Sequence, residues 1–318
     1  MVAQAPGSGD AHRWDDLGAA LRQAAALLAE AGVPSPRADA EQIAVHVLSA
    51  GPGGDRLGGG GLGRLRALAI TGAPVPEGFW DLVQERARRV PLQHLTGAAH
   101  FRHLTLSVGP GVFVPRPETE GVVQLALDWL AQEAAAHDAD WSPSVVDLGT
   151  GSGAIAASVA HEVPRARVHA VELSDHAYAW AERNLSLPEL GGRVRLARGD
   201  LRTAFRELDG TVDAVVSNPP YIPAGMVPRE PEAAEHDPDL ALYGGGEDGL
   251  ELPLAAAATA ARLLRPGGFF VMEHAEVQAE RIAGLLAADA DGAWRRVRSH
   301  EDLNGLPRAT SAVRAGAR

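Results

Sequence analysis

Apolar side chains return at helical spacing through Leu17, Leu21, Ala24, Leu27 and Leu28, which predicts a helix over 15–31 closed by Gly32-Val33-Pro34. Ser35-Pro36 opens a second over Ala38 to Leu48, and the same period resumes around Leu65 to Ile70 and Phe79 to Arg89. Pro91-Leu92-Gln93-His94-Leu95-Thr96-Gly97 breaks the helical run, and Ala98 to Val108 alternates as a strand pair does. After a further helix over Val122 to Leu130 the pattern changes. Short β-branched runs starting at Ser144, Ala166, Val194 and Val212 alternate with helical stretches such as Ala154 to Ala160, and runs of this kind suit parallel strands buried on both faces. Leu252 to Leu264 and Gln278 to Ala287 are expected as helices and Phe269 to Met272 as a strand. Trp294 to Arg298 and Thr310 to Arg314 form the expected closing strand pair about Asn304-Gly305. The expected organisation is a disordered tail over 1–14, a small helical domain over 15–90 suited to packing on a partner protein, a connector with a hairpin over 91–116, and an α/β domain over 117–318.

Composition narrows the chemistry. The 318 residues carry a net charge of -12, from 29 Lys+Arg against 41 Asp+Glu, whereas a protein that tracks a nucleic-acid backbone normally has a basic surplus. Every basic residue of the Lys+Arg set is Arg. A Schiff-base lysine and a Walker-type phosphate lysine are therefore excluded. With Cys 0, so are disulfides, thiolate nucleophiles and Cys-ligated zinc. The histidines show no H-x-x-x-H spacing, and no metal is expected. The first ten residues lack the basic and apolar blocks of a secretory signal, and Leu252 to Leu264 is too short to span a bilayer, so the expected location is the cytoplasm, with no membrane partner.

Two stretches carry the candidate site. The first, Asp147-Leu148-Gly149-Thr150-Gly151-Ser152-Gly153, reads as strand, glycine turn and helix start; glycines at alternate positions let the backbone fold under a bulky ligand and present N–H groups at a helix N-terminus. Its G-x-G-x-G spacing differs from the G-x-G-x-x-G of dinucleotide enzymes. The next strand ends on Glu172, placed to accept from both hydroxyls of a ribose, and a third ends at Asp200-Leu201, where the acid could meet an adenine amine and the leucine could pack on its ring. Either acid alone would more often be a solvated strand end. Three features on three successive strand ends form a pattern. The second stretch, Ser217-Asn218-Pro219-Pro220-Tyr221-Ile222, leaves a strand through two prolines that hold the backbone open. Asn218 and the Pro219 carbonyl supply two acceptors and Tyr221 a flat face, an arrangement suited to the planar NH2 of a carboxamide or of a nucleobase. By contrast, the glycine-rich stretch 51–63 lacks a Lys-Ser/Thr ending and is expected to be a flexible insertion without chemistry. Residues 109–120, stiffened by Pro115 and Pro117 about Arg116, could wall a pocket, and 228–249 is expected to be a long substrate-facing loop or lid.

The glycine turn with its strand-end acids resembles the class I S-adenosylmethionine-dependent methyltransferases, which implies a Rossmann-like, seven-stranded, mostly parallel sheet. Phe113-Val114-Pro115-Arg116-Pro117-Glu118-Thr119-Glu120, the loop Asp147 to Ala156 and Ser217 to Ile222, together with Pro91 to Gly97 and Gly245-Gly246-Glu247-Asp248-Gly249-Leu250, resemble the bacterial release-factor glutamine N5-methyltransferases in order and spacing. The resemblance implies that Gly149, Thr150, Gly151, Ser152, Gly153 and Glu172 hold the methyl donor, with Asp200 and Leu201 near its adenine. It further implies that Asn218 bridges donor and substrate, and that Asn218, Pro219, Pro220 and Tyr221 bind the target glutamine, with Asn218, Pro219 and Tyr221 catalytic. The implied substrate is the glutamine of the Gly-Gly-Gln tip of peptide-chain release factors, acted on by a monomer without direct nucleic-acid contact. Alternatives are a ribosomal-protein glutamine methyltransferase, an adenine-N6 or cytosine-N4 DNA methyltransferase, and a binding module that has lost turnover.

Overall fold

The computed structural model describes residues 16–50, 61–228, 230–289 and 291–316. The expected tail over 1–14 and residues 51–60 of the glycine-rich stretch lie outside the described residues. The chain divides into two compact units, 1–97 and 98–318.

The first unit is helical: α1 (Leu17–Glu30), α2 (Pro36–Ala50), α3 (Gly61–Ile70), α4 (Phe79–Ala87) and α5 (Leu92–Thr96). Asp16 caps α1 by accepting from Gly18 N. The apolar stripe that predicted these helices closes one core, in which Leu17, Leu28, Ile43, Leu65 and Phe79 are fully buried. Inside it Arg86 Nε donates to Asp39 Oδ2 at 2.7 Å, a charge pair that burial would make costly if either partner were lost. Two expectations are corrected here. Gly61 to Gly63, read as the end of a flexible insertion, form the first turn of α3, because Leu65 anchors that turn in the core. Pro91 to Gly97 was expected only to break the helices, yet Pro91 serves as N-cap of α5 and Gly97, at φ 71°, ends it.

The second unit opens with the hairpin β1 (Ala98–Phe101) and β2 (Leu104–Ser107), then α6 (Pro117–Ala134), which starts on a proline. Strand and helix then alternate: β3 (Ser144–Leu148), α7 (Ala154–Glu162), β4 (Arg167–Glu172), α8 (Asp175–Leu185), β5 (Val194–Arg198) and β6 (Val212–Ser217). After the short helices α9 (Pro231–His236) and α10 (Asp239–Leu242) come α11 (Glu251–Leu263), β7 (Leu264–Glu273), α12 (Ala279–Ala287), β8 (Trp294–Glu301) and β9 (Pro307–Arg314). The main sheet has seven strands in the order β5-β4-β3-β6-β7-β9-β8; β3 to β7 pair in parallel, and the β9-β8 pair runs antiparallel. It is the expected α/β class I methyltransferase sheet.

The central strand β6 feeds opposite cores, with a register irregularity between Val212 and Ala214. Ala214 and Val216 of β6 join α6 and α7 on one face, while Val212 and Val215 join α11 and α12 on the other, so both faces of the strand must be apolar. The chain crosses outward from β3 to β4 and returns to β6 on the other side of β3. This reversal opens a crevice beyond the C-terminal ends of β3, β4 and β6, where sheets of this kind bind ligands. Helix α8 was not among the expected helices, although it buries one face through Ala177, Ala181, Asn184 and Leu185 and Ser174 is its N-cap, accepting from Ala177 N, with Asp175 in the first turn.

Candidate active site

Strand β3 leaves the sheet at Leu148 into a turn whose alternate glycines, Gly149, Gly151 and Gly153, adopt φ of 75°, 58° and 86°. An L side chain is strained in that region. Gly149 N and Thr150 N both donate to Val171 O, at 3.1 and 3.0 Å, pinning the turn to β4. A Cβ on Gly149 or Gly151 would meet nothing within 4 Å, whereas one on Gly153 would lie 3.1 Å from Leu185. The third glycine thus answers to packing, and the first two face open space that a ligand can fill.

Two acids brace this cradle. Asp147 is buried beneath it, its Oδ2 accepting from Thr150 Oγ1 and Ala156 N, and burial pushes the carboxyl up to about 7 despite those bonds. Glu172 stands at the end of β4. Its Oε2 accepts from Gly151 N and its Oε1 from Ser174 N, both at 2.8 Å, so the carboxylate is held by backbone while each oxygen keeps a lone pair for a ligand. Burial raises its pKa and the backbone N–H groups oppose the rise. Gly199 N donates to Glu172 O and brings the end of β5 alongside. There Asp200 caps the turn Leu201–Thr203, accepting from Arg202 N at 2.8 Å and pairing with the Arg202 guanidinium. Leu201 is buried in the core with Val171 and Phe205.

The end of β6 lies beside β3, with Ser217 Oγ donating to Leu148 O at 2.7 Å. From there Asn218, Pro219, Pro220 and Tyr221 lead into backbone that is held from several sides. Tyr221 N and Ile222 N donate to Leu242 O, Gly244 N donates to Ile222 O, and Gln278 Nε2 donates to both Tyr221 O (2.8 Å) and Asp248 O (2.9 Å). Side chains complete the notch. Asn218 Nδ2 donates to Thr119 Oγ1 at 3.2 Å, Thr119 Oγ1 donates to Glu273 Oε2 at 2.6 Å, and Tyr221 Oη donates to Glu273 Oε1 at 3.4 Å. Among the described residues no donor reaches Asn218 Oδ1 or the Pro219 carbonyl, so both remain available as acceptors. Burial pushes Glu273 up to about 7, against the pull of Thr119 and of the Arg308 charge; burial and then Glu273 raise the Tyr221 phenol.

Residues 228–249 were expected to form a loop or lid. Instead they contain α9 and α10 and supply part of the backbone that clamps Tyr221 and Ile222, because Gly244 and Gly249 allow a closeness no side chain permits. A Cβ on Gly249 would lie 2.3 Å from Tyr221 O, and one on Gly244 2.0 Å from Gly249 O. Arg116 ties this segment to the start of α6, donating to buried Asp237 at 2.9 Å across Phe113. Thr119 lies in the 109–120 stretch expected to wall a pocket but was not singled out there, and Glu273 and Gln278 were not expected in the site. Thr119 stands at a helix start and Glu273 at a strand end, and no spacing marks Gln278. No described helix is long and apolar enough to cross a membrane, and no group of three or more potential metal ligands gathers among the described residues.

A glycine cradle at the switch of a mostly parallel, seven-stranded sheet, with a carboxylate at the end of the neighbouring strand on one side and an Asn-Pro-Pro-Tyr turn at the end of the neighbouring strand on the other, defines a class I methyltransferase. Residues 104–228 match the family described as "Methyltransferase small domain". The chain is 47% identical over 300 residues to the release factor glutamine methyltransferase of Streptomyces coelicolor, covering 93% of this chain and 98% of that protein. It is 42% identical to the protein of the same name from Bifidobacterium longum, covering 92% and 98%. It therefore belongs to the release factor glutamine methyltransferase family. A Streptomyces pristinaespiralis protein named 4-amino-L-phenylalanine/4-methylamino-L-phenylalanine methyltransferase is 40% identical over 91% of this chain and 92% of its own length. Among solved structures, the human METTL16 catalytic domain bound to an RNA hairpin superposes with a TM-score of 0.52 at 14% identity over 75% of this chain and 83% of that one, a likeness of fold alone.

Proposed function

We propose that this enzyme methylates the side-chain amide nitrogen of a glutamine in a peptide-chain release factor, with S-adenosylmethionine as donor. The observation that carries this reading is the pair of unengaged acceptors, Asn218 Oδ1 and Pro219 O, on a backbone clamped from several directions, which suits the two N–H bonds of a primary carboxamide. The curated relatives named for release factors support the choice of protein substrate.

The open space above Gly149 and Gly151 and the backbone-held Glu172 fit the donor, the glycines receiving its amino-acid end and Glu172 its ribose hydroxyls. Asp200 and Leu201 are proposed at the adenine side. When bound, S-adenosylmethionine supplies a methyl group from a sulfonium and leaves as a neutral thioether, the acceptor amide giving up one proton to water. A carboxamide nitrogen is a weak nucleophile because its lone pair is delocalised, so the enzyme's contribution is orientation. Asn218 and Pro219 hold the two N–H bonds and expose the nitrogen lone pair, and Tyr221 and Pro220 fix the amide plane. We assign the helical unit, which has its own core and exposes Ile70, to docking of the protein substrate.

Asn218→Ala is expected to lower kcat by a hundredfold or more, about 3 kcal/mol. Wild-type protein incubated with donor and a purified release factor should add one methyl group to the peptide carrying the Gly-Gly-Gln tip, read by mass spectrometry, and a release factor with that glutamine changed to glutamate should stay unmodified. Preferential methylation of 4-aminophenylalanine, a ribosomal protein or DNA in parallel reactions would overturn the assignment.

A further inference from the structure

The two ends of an asparagine carboxamide are nearly the same size, and its terminal torsion is broad and roughly two-fold, so shape alone does not select which end faces a substrate. The end matters. With Oδ1 outward the side chain accepts from an incoming NH2; with Nδ2 outward it opposes donor to donor. In this structure the choice follows from a chain of polarity that starts at a buried carboxylate. Glu273 is 2% exposed and, when ionised, can only accept. Thr119, 4% exposed and on α6, has one hydroxyl proton and gives it to Glu273 Oε2, which leaves the Thr119 oxygen able only to accept from a neighbour. That neighbour is Asn218, whose Nδ2 is the one end able to donate. The other Glu273 oxygen takes the Tyr221 hydroxyl, so one carboxylate holds both side chains that flank the acceptor position. Burial of Thr119 and Glu273 keeps water from substituting for either of them at the root of the chain.

We propose that Thr119 and Glu273 are positioning residues that fix the sense of the Asn218 carboxamide, keeping its oxygen toward the acceptor nitrogen. The inference rests on the reading of Asn218 as a substrate acceptor given above. It assigns a function to two residues from α6 and β7 that lie 99 and 55 positions from Asn218 in the chain.

Thr119→Val is isosteric and deletes the hydroxyl, and Thr119→Ser keeps it. With release factor as substrate, Thr119→Val should lower kcat by roughly 10- to 100-fold while KM and the Kd for S-adenosylhomocysteine stay within about threefold, because binding surfaces are retained and only orientation is lost. Thr119→Ser should restore most of that kcat. In the Asn218→Ala background Thr119→Val should cost nothing further, since there is no carboxamide left to orient. A substrate-free measurement stands beside the kinetics: in nitrogen-15 spectra, the Asn218 side-chain amide signal, assigned by its disappearance in Asn218→Ala, should contain one proton protected from exchange with water. The protection should vanish in Thr119→Val and return in Thr119→Ser. If Thr119→Val does not fold, Thr119→Ala carries the same comparison. A Thr119→Val enzyme with near-normal kcat, a double variant whose losses multiply, or protection that survives without the hydroxyl would each overturn the proposal. Should the wild-type chain leave the release factor unmodified, the functional reading falls, while the amide-exchange measurement still decides the orientation chain.

Discussion

The two halves of the site are built on different principles. The glycine cradle is nearly local: Gly149 to Gly153 follow directly from β3, and the bonds that shape it, from backbone N–H groups and from the side chains of Asp147, Thr150, Glu172 and Asn184, reach at most 32 positions along the chain. The Asn-Pro-Pro-Tyr notch is assembled from afar, its fixing contacts joining residues 99, 154 and 57 positions apart. The cradle is shaped mostly by backbone. The notch depends on particular side chains, and these arrive only when α6, β6, β7 and the start of α12 have packed.

The contrast can be broken most severely at the notch. Gly249→Ala forces a Cβ to 2.3 Å from Tyr221 O at a φ of +71°, and is expected to destabilise the α/β unit by about 3–4 kcal/mol and abolish turnover, measured by thermal melting and single-turnover kinetics. Each half also hides an acid with a raised pKa, Asp147 under the cradle beside Glu172 and Glu273 behind the notch beside Tyr221, Arg308 and Glu118, both at about 7. In the unfolded chain these acids ionise near their ordinary pKa, so between about pH 4 and 7 the folded state binds more protons. Their contribution is full below that window and is lost as pH rises through 7. Stability should fall by about 3–4 kcal/mol for each acid across it, and Asp147→Asn or Glu273→Gln should each flatten the profile in denaturant titrations.

Glu172→Gln sets an NH2 against one of the two backbone N–H groups that the carboxylate accepts from. We expect about 2 kcal/mol, near 30-fold in donor Kd by calorimetry, with kcat at saturation nearly unchanged, because this half holds and does not orient. Smallest is the effect of Gly151→Ala on stability. Its Cβ meets no protein atom within 4 Å, so only the φ of 58° opposes it, at about 1 kcal/mol. Donor affinity should suffer more than the melting temperature does; equal losses would show that the cradle is shaped for the fold and not for a ligand.

The cradle was legible because its logic is sequential. A β-branched run, a glycine at every second position and an acid at the end of the next strand occupy short windows, and each residue's role depends on neighbours in the chain. The Asn218 turn was legible for the same reason, since two prolines dictate backbone conformation wherever they stand. Glu273 and Thr119 carried weaker signals, because an acid after a strand and a threonine at a helix start have ordinary explanations. Gln278 carried none. The segment 228–249 misled because its composition is polar and glycine-bearing, whereas Gly244 and Gly249 are there to let backbone approach backbone.

Sequence alone determined the strands, the glycine turn and the Asn-Pro-Pro-Tyr turn, since local sterics and hydrophobic period act within a few residues. Only the tertiary structure decided which end of Asn218 faces outward and what holds Tyr221, because those depend on the direction of hydrogen bonds between residues that meet in space. Composition does not record that direction; a buried carboxylate that, once ionised, can only accept sets it for every group linked to it.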